Sequence, residues 1–196
     1  MGDISRPVRG TMSSLAAVLL ASTLSSAAAG AGEVSPIALG DTLPALRGEL
    51  LSGRKTTLPD STLGSVTLLM LGFTYESRHD VEVWAGRFRR EFGSDTGLAY
   101  FEVPVIGGAG RLARPFIDRG MRRGTPRELH DHVITLYRNA GDWKRRVGFS
   151  EPDVAYLLLL DRAGRLAFRA RGPFDEDGYR ALAGKVLQLR EWPHAP

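Results

Sequence analysis

The chain has 196 residues, of which 43% are hydrophobic and 24% are charged, a composition typical of one folded domain with a sizeable core. The formal net charge is only +4, so the chain is not polycationic and nucleic-acid binding would need a concentrated basic face. The chain contains no cysteine. This excludes disulfides, zinc–thiolate sites, iron–sulfur ligation and any thiol–disulfide chemistry.

The first 32 residues predict a targeting segment. Arg6 and Arg9 precede an uncharged stretch whose centre, Leu15–Leu24, is short and apolar, and small residues around Ala29 satisfy an A-x-A cleavage site. This order is typical of a secretory signal peptide, with an uncleaved membrane anchor, an organelle transit peptide and a flexible tail as alternatives. We therefore predict a signal or targeting segment at 1–32, one domain at 33–192, and an exported protein that is periplasmic or anchored facing the periplasm, or alternatively mitochondrial.

The first elements of the domain are a hairpin and a buried strand. Leu43–Pro59 contains two short runs around Ser52-Gly53, which is typical of a hairpin turn. Val66–Phe73 is an apolar run rich in β-branched residues, which predicts a buried central strand.

A helix is predicted after this strand. Ser77 is a candidate N-cap, and Gly93 is a natural C-terminal stop. The apolar residues recur at helical spacing and predict one buried face, formed by Val81, Trp84, Ala85, Phe88 and Phe92.

An arginine-rich insert follows the next strand. Leu98–Ile106 predicts a second core strand that is short or at an edge near Pro104. Arg111–His130 contains six arginines before its final histidine, and Thr125 predicts the start of a short helix. His130–Tyr137 is rich in β-branched residues and predicts a further strand.

The remaining pattern ends in an antiparallel strand pair and a helix. Asn139–Gly148 predicts a short helix, Val154–Leu160 a second central strand, and Asp161–Gly164 a turn into the strand Arg165–Arg171. The final helix has an apolar side that includes Leu182 and Val186. The order predicts an α/β fold, a central mixed sheet with helices on both faces and an N-terminal hairpin.

The loop after the first central strand resembles the active-site unit of thioredoxin-like proteins, in the redoxin and copper-chaperone branches. Gly72–Tyr75 match the G-[FY]-T-x-C stretch of those branches, but Glu76 and Asp80 occupy the two cysteine positions. The resemblance extends from Leu43 to Leu189 and implies a thioredoxin-like fold with a degenerate site. It also implies a cis-proline near Val154 or Ala155, and Pro152 lies too early for that role.

Within this superfamily, three segments resemble the cysteine-less assembly factors of the F-type ATP synthase. They are the arginine-rich insert, HVITLYRNAGDWKRRVG and YLLLLDRAGRLAFRARG. This resemblance implies a redox-inactive assembly or chaperone-type protein that acts on a membrane complex, and no enzyme. The alternative relatives, copper-delivery and redoxin proteins with a degenerate site, imply an exported metal-binding or delivery protein.

Three sets of residues are candidates for function. A peptide-binding groove without chemistry is predicted at Tyr75, Glu76, Arg78 and His79; alternatively, these polar groups cap the helix and face water. If His130 and His132 lie on one strand, they share a face and, with His79, are candidates for a copper or zinc site; alternatively they are surface histidines. No cofactor is predicted.

The arginine cluster is the most plausible functional surface. Guanidinium groups suit bidentate contacts with carboxylates and phosphates, which predicts acidic loops of a membrane protein or an anionic membrane surface as partners. The alternative is an ordinary solvated face. Nucleic acid is not predicted, because the cluster lacks interleaved stacking aromatics. The candidate surface consists of Arg114, Arg119, Arg122, Arg123 and Arg127.

Overall fold

A computed structural model describes residues 34–108 and 110–191. The predicted targeting segment at 1–32 lies outside the described residues, and the prediction of a single domain at 33–192 stays a prediction. In the part of the chain that is described, no helix combines the length and the hydropathy that a membrane span needs.

The described chain contains seven strands and four α-helices, together with short 3-10 helices at Asp60–Thr62 and Arg127–His132. In chain order the strands and α-helices are β1 (Leu46–Leu50), β2 (Lys55–Leu58), β3 (Val66–Gly72), α1 (Ser77–Phe92), β4 (Leu98–Pro104), α2 (Arg114–Gly124), β5 (Ile134–Thr135), α3 (Ala140–Val147), β6 (Ala155–Leu160), β7 (Leu166–Gly172) and α4 (Glu176–Glu191).

The central sheet has four strands in the order β4-β3-β6-β7. Strand β3 runs parallel to β4 and antiparallel to β6, and β6 pairs antiparallel with β7. Every residue of β3 and β6 is buried, because both strands are almost entirely apolar and are covered on both faces. The prediction of two central strands in a mixed sheet is confirmed.

The predicted hairpin is present, but it belongs to a second sheet. Strands β1 and β2 pair antiparallel, and β1 also pairs with β5, which gives the order β2-β1-β5. Gly48 has no room for a side chain, because an added Cβ would lie 2.2 Å from Cγ2 of Ile134. This close approach lets the short β5 join the hairpin.

Helices cover both faces of the central sheet, as predicted. On one face α1 and α4 pack around Trp84, Phe88 and Leu182, all of which are buried against β3 and β6. On the other face α3 contributes Trp143 and Val147 to a core shared with the hairpin.

The segment that includes the two histidines departs from the prediction. His130–Tyr137 was expected to be a strand, but its first residues complete the 3-10 helix Arg127–His132, and only Ile134–Thr135 forms a strand. The short helix predicted from Thr125 begins two residues later, because Thr125 is extended and its N–H caps α2 on the Met121 carbonyl. Pro126 then fixes an extended backbone before the 3-10 turns.

Candidate functional site

The loop between β3 and α1 is held together by its own polar groups. The Thr74 N–H donates to Oγ of Ser77 at 3.1 Å, and the Ser77 N–H donates to Oγ1 of Thr74 at 3.1 Å. The Ser77 hydroxyl donates in turn to the Thr74 carbonyl at 2.9 Å. Ser77 is fully buried, so these bonds replace water around the loop.

Ser77 therefore does not cap α1 in the predicted way. The residue at the N-cap is Glu76, which has helical dihedral angles and makes no capping hydrogen bond with its side chain. Ser77 lies one position further, inside the helix, and its hydroxyl turns back to Thr74. The Thr74 hydroxyl extends the network to the loop before β6, because it lies 2.9 Å from Oδ1 of Asp153 and 3.2 Å from the Pro152 carbonyl.

The two degenerate cysteine positions differ in environment. Glu76 is exposed, whereas Asp80 is half-buried. Burial raises the pKa of Asp80, against the opposing effects of a backbone hydrogen bond from Ala155 and of the neighbouring His79. Asp80 thus lies near the start of β6, where the resemblance places a cis-proline. Positions 80 and 155, which the resemblance assigns to a redox site, are therefore near each other, but the first carries a carboxyl group and the second is an alanine.

The residues of the predicted peptide groove lie on an open surface. Tyr75 is 70% exposed, and the guanidinium carbon of Arg78 lies 4.8 Å from the centroid of its ring. Arg78 also pairs with Glu82 at 3.3 Å, and His79 is exposed. Phe73, at the end of β3, packs edge-on against Phe149 and Tyr156. The four residues of the predicted groove are therefore exposed, and the groove itself stays a prediction.

The histidines of the candidate metal site do not share a face, because the segment that carries them is not a strand. Nε2 of His130 lies 3.0 Å from the Thr125 carbonyl oxygen, while Nδ1 of His132 lies 3.1 Å from the Tyr100 carbonyl oxygen. The His132 ring also stacks on Tyr100, with centroids 4.0 Å apart. Among the described residues no cluster of three or more metal-ligating side chains is found. The premise of a site built from His130 and His132 was wrong.

Helix α2 is fixed to the hairpin and to the segment after β5 by two of its arginines. Nε of Arg122 donates to the Leu51 carbonyl at 2.7 Å, and the guanidinium carbon of Arg114 lies 5.0 Å from the Tyr137 ring centroid. The Tyr137 hydroxyl donates to Oδ1 of Asp118 at 2.6 Å, and burial together with that carboxylate raises the pKa of Tyr137. These contacts orient the helix.

The other three arginines of the predicted basic surface are exposed. Arg119, Arg123 and Arg127 face solvent. Among the described residues, their side chains make no hydrogen bond, ion pair or ring contact. They border a cavity of about 920 Å³ between α2, the hairpin turn and the 3-10 helix. The cavity is lined by Leu51, Ser52, Pro115, Phe116, Arg119, Arg122, Arg123, Arg127, His130 and Asp131.

The residues that line this cavity carry more positive than negative charge. Its one acidic lining residue, Asp131, is engaged by the Ser52 hydroxyl at 2.5 Å and by Arg54 at 2.9 Å. Those contacts lower the pKa of Asp131, so its negative charge is already compensated. The arginines of α2 can therefore bind an external carboxylate or phosphate without competition from this aspartate.

Glu102 in β4 is a titratable residue with a shifted pKa that was not among the candidates from the sequence. Burial, reinforced by the charge of Glu82, raises the pKa of Glu102 to about 7, against an opposing effect of Arg89. Glu102 also forms a β-bridge with Val133, so it lies between α1 and the segment that follows α2. The available signal was a single acid within the otherwise uncharged strand Leu98–Pro104.

Comparison with solved structures shows the fold. The chain is similar to a protein assigned as the thiol:disulfide interchange protein DsbE from Chlorobium tepidum, with a TM-score of 0.53 and 19% identity over 78% of this chain and 98% of that one. It is also similar to the thiol peroxidase from Chromobacterium violaceum (TM-score 0.51, 17% identity, 81% and 91% covered). A peroxiredoxin-like protein from Aquifex aeolicus matches with a TM-score of 0.51 and 13% identity, over 80% and 90%.

Neither a protein-family model nor a curated protein matches the sequence. The structural neighbours establish that the chain has a thioredoxin-like fold, as predicted. Because the chain contains no cysteine, the thiol chemistry named for those neighbours is not available to it, and at this level of identity fold alone does not assign a function.

Proposed function

We propose that this thioredoxin-like chain is a redox-inactive binding protein of the assembly or chaperone type, exported and working at a membrane surface. The observation that carries the proposal is the set of three exposed arginines, Arg119, Arg123 and Arg127, which border the cavity beside α2. A concave site of this size with uncompensated guanidinium groups suits an acidic segment of a partner.

The degenerate site supports a non-enzymatic role. Thr74, Ser77 and Asp153 satisfy one another, and no thiol is present to act as a nucleophile. The loop therefore serves to join β3 to α1. The partner that we propose is a subunit of a membrane complex, and the resemblance to cysteine-less assembly factors makes the F-type ATP synthase the first complex to test.

A metal-delivery function has weaker support. Its candidate ligands His130 and His132 are directed to the carbonyl oxygens of two different residues. We therefore retain the binding role as the proposed function.

The test is capture of the tagged full chain, after crosslinking in intact cells, from purified membranes. We expect one membrane-complex subunit to be enriched, and a variant with Arg119, Arg123 and Arg127 changed to alanine to lose at least tenfold of that enrichment, because each charge-assisted contact contributes about 1.5–3 kcal/mol. Arg122 is left intact because it holds α2 in place.

The matched control changes three exposed arginines elsewhere, Arg47, Arg90 and Arg138, to alanine. This variant has the same net charge as the test variant and should retain the partner. Equal loss in both variants would indicate a nonspecific effect of charge. Recovery of the wild-type chain without any enriched partner would refute the proposed function.

A further inference from the structure

The outward face of α2 and of the turn before it carries large apolar side chains. Leu112 is 89% exposed and Phe116 is 77% exposed, which leaves nearly the whole of each side chain outside the protein core. Isolated apolar residues are common on surfaces, but here two large ones are exposed within five residues of the chain, one in the turn before α2 and one in its first turn.

The same face carries positive charge. Phe116, Arg119 and Arg123 follow one another at i, i+3 and i+7, so they lie on one side of the helix. Leu112 precedes Phe116 by one turn, and Arg111 is exposed beside it. From residue 111 to 127 the chain has six arginines and a single acid, Asp118. The Asp118 carboxylate accepts a hydrogen bond from the Tyr137 hydroxyl.

The opposite side of α2 faces the protein. Ile117 and Met121 are half-buried, and Arg122 and the pair of Asp118 with Tyr137 attach the helix to the hairpin and to the segment after β5. The helix is therefore held with Phe116, Arg119 and Arg123 on its exposed side, where they also border the cavity beside the hairpin turn.

We propose that this face, formed by Leu112, Phe116, Arg119 and Arg123, binds directly to a bilayer of anionic lipids. The guanidinium groups contact lipid phosphates, and the two apolar side chains enter the boundary between headgroups and acyl chains. Arginines beside exposed apolar side chains, on α2 and the turn before it, are the composition of a segment that lies in a membrane interface. The inference deepens the proposed function, on which its membrane location rests.

The absence of cysteine allows a probe at a single position of the full chain. Gly120 lies one turn after Phe116 on α2, and a Cβ there would meet no atom within 4 Å. A Gly120→Cys variant labelled with an environment-sensitive fluorophore reports insertion of α2 and leaves the proposed contact residues intact. The matched control is Gly184→Cys on α4, where a Cβ also meets no atom within 4 Å.

The probe is titrated with vesicles of equal parts phosphatidylglycerol and phosphatidylcholine, and with vesicles of phosphatidylcholine alone. We expect a blue shift and an increase of emission at Gly120→Cys with the anionic vesicles, weaker at high salt. The Gly184→Cys label should not respond. Because the readout is local to α2, attachment of the chain through its first 32 residues does not by itself produce it.

Substitutions separate the two contributions. Arg119→Ser with Arg123→Ser should weaken partitioning about thirtyfold, since each basic residue near an anionic surface contributes about fivefold. Leu112→Ser with Phe116→Ser should weaken it at least about tenfold, through the loss of buried apolar area. The control variant, Arg47→Ser with Arg90→Ser, has the same net charge as the first variant. It should partition onto the vesicles more nearly as the wild type does.

Three outcomes would overturn the inference. The Gly120→Cys label could respond no more than the Gly184→Cys label, or it could respond equally to neutral vesicles. The response could also persist in the Leu112→Ser, Phe116→Ser variant, which would indicate attraction by charge without insertion. If vesicles have no effect while the arginine-dependent partner is still captured from cells, the surface binds a protein, and the proposed function survives without this inference.

Discussion

The loop after β3 and helix α2 are both polar, but their side chains are used in different ways. In the loop, Thr74 and Ser77 satisfy each other and Asp153. In α2, Arg122 is tied to the Leu51 carbonyl, whereas Arg119 is exposed. The comparison indicates that the polar groups of the loop after β3 are satisfied within the protein, whereas Arg119 and Arg123 on α2 are exposed to solvent.

The largest expected effect concerns Glu102 in β4, the strand that pairs with β3. Its pKa is raised from the ordinary value of 4.5 to about 7, so the folded protein holds this proton more tightly than the unfolded chain does. The protonated side chain of Glu102 makes its full contribution to the free energy of unfolding below about pH 4.5, and this contribution is lost as the pH rises to about 7. Glu102→Gln should therefore match the wild type near pH 4 and exceed its stability near pH 8 by up to about 3 kcal/mol.

Urea unfolding of both proteins across this pH range measures the difference. Glu82→Gln provides a second variant, because it removes the charge that reinforces the shift in the pKa of Glu102. This variant should reduce the pH dependence without abolishing it. A stability difference between Glu102→Gln and wild type that does not change with pH would contradict the assignment.

The next effect tests the loop as a structural joint. Ser77→Ala removes the hydroxyl that binds both the N–H and the carbonyl of Thr74 in a fully buried position, and should lower the free energy of unfolding by about 2 kcal/mol. Denaturant titration measures this loss. The control, Ser61→Ala, removes an exposed hydroxyl that contacts Thr56 and should change stability by less than about 0.5 kcal/mol. Equal effects of the two substitutions would be inconsistent with a buried joint.

A smaller effect is expected from the arginines of α2. Arg119→Ala and Arg123→Ala should each change the free energy of unfolding by less than about 0.5 kcal/mol, because both side chains are exposed. Arg122→Ala should cost about 1–2 kcal/mol, since it removes a charged donor from the Leu51 carbonyl. Thermal unfolding distinguishes the two classes. A large loss at Arg119 would mean that it holds the fold and is not free for a partner.

The smallest effect is expected at the degenerate cysteine positions. Glu76→Ala should alter stability by less than about 0.5 kcal/mol and leave partner capture unchanged, because Glu76 is exposed and makes no capping bond. Capture of the partner by this variant, measured beside the wild type, checks the expectation. A tenfold loss of captured partner would instead support the predicted groove at Tyr75 and Glu76.

Most of the fold could be predicted from local patterns. The apolar runs of β3 and β6 and the helical spacing of Trp84 and Phe88 reflect burial alone, and the structure confirms the elements that they predict. The strand predicted at His130–Tyr137 was wrong in its first residues and is confirmed only at Ile134–Thr135, because β-branched residues favour a strand only where a neighbour pairs with them. There the backbone after Pro126 forms 3-10 turns, and only Ile134 and Thr135 reach β1.

The candidate site was less predictable, because its properties depend on distant contacts. Composition alone identified the arginine cluster, but it could not distinguish Arg122, which binds the Leu51 carbonyl, from Arg119, which is exposed. The pKa of Glu102 was also beyond reach, since it results from burial between elements that are remote in sequence. Only the placement of the residues in space separates structural from available charges.

The most direct test of the central claim is site-specific photocrosslinking with one photoreactive residue at a time, in place of Gly120 on α2 or Tyr75 beside the degenerate site. Both positions are exposed, so access alone does not favour either. We predict that irradiation of intact cells yields an adduct with a membrane-complex subunit or with lipid from position 120, and little or none from position 75. A specific adduct from position 75 alone would contradict the claim and place the binding site at the loop after β3.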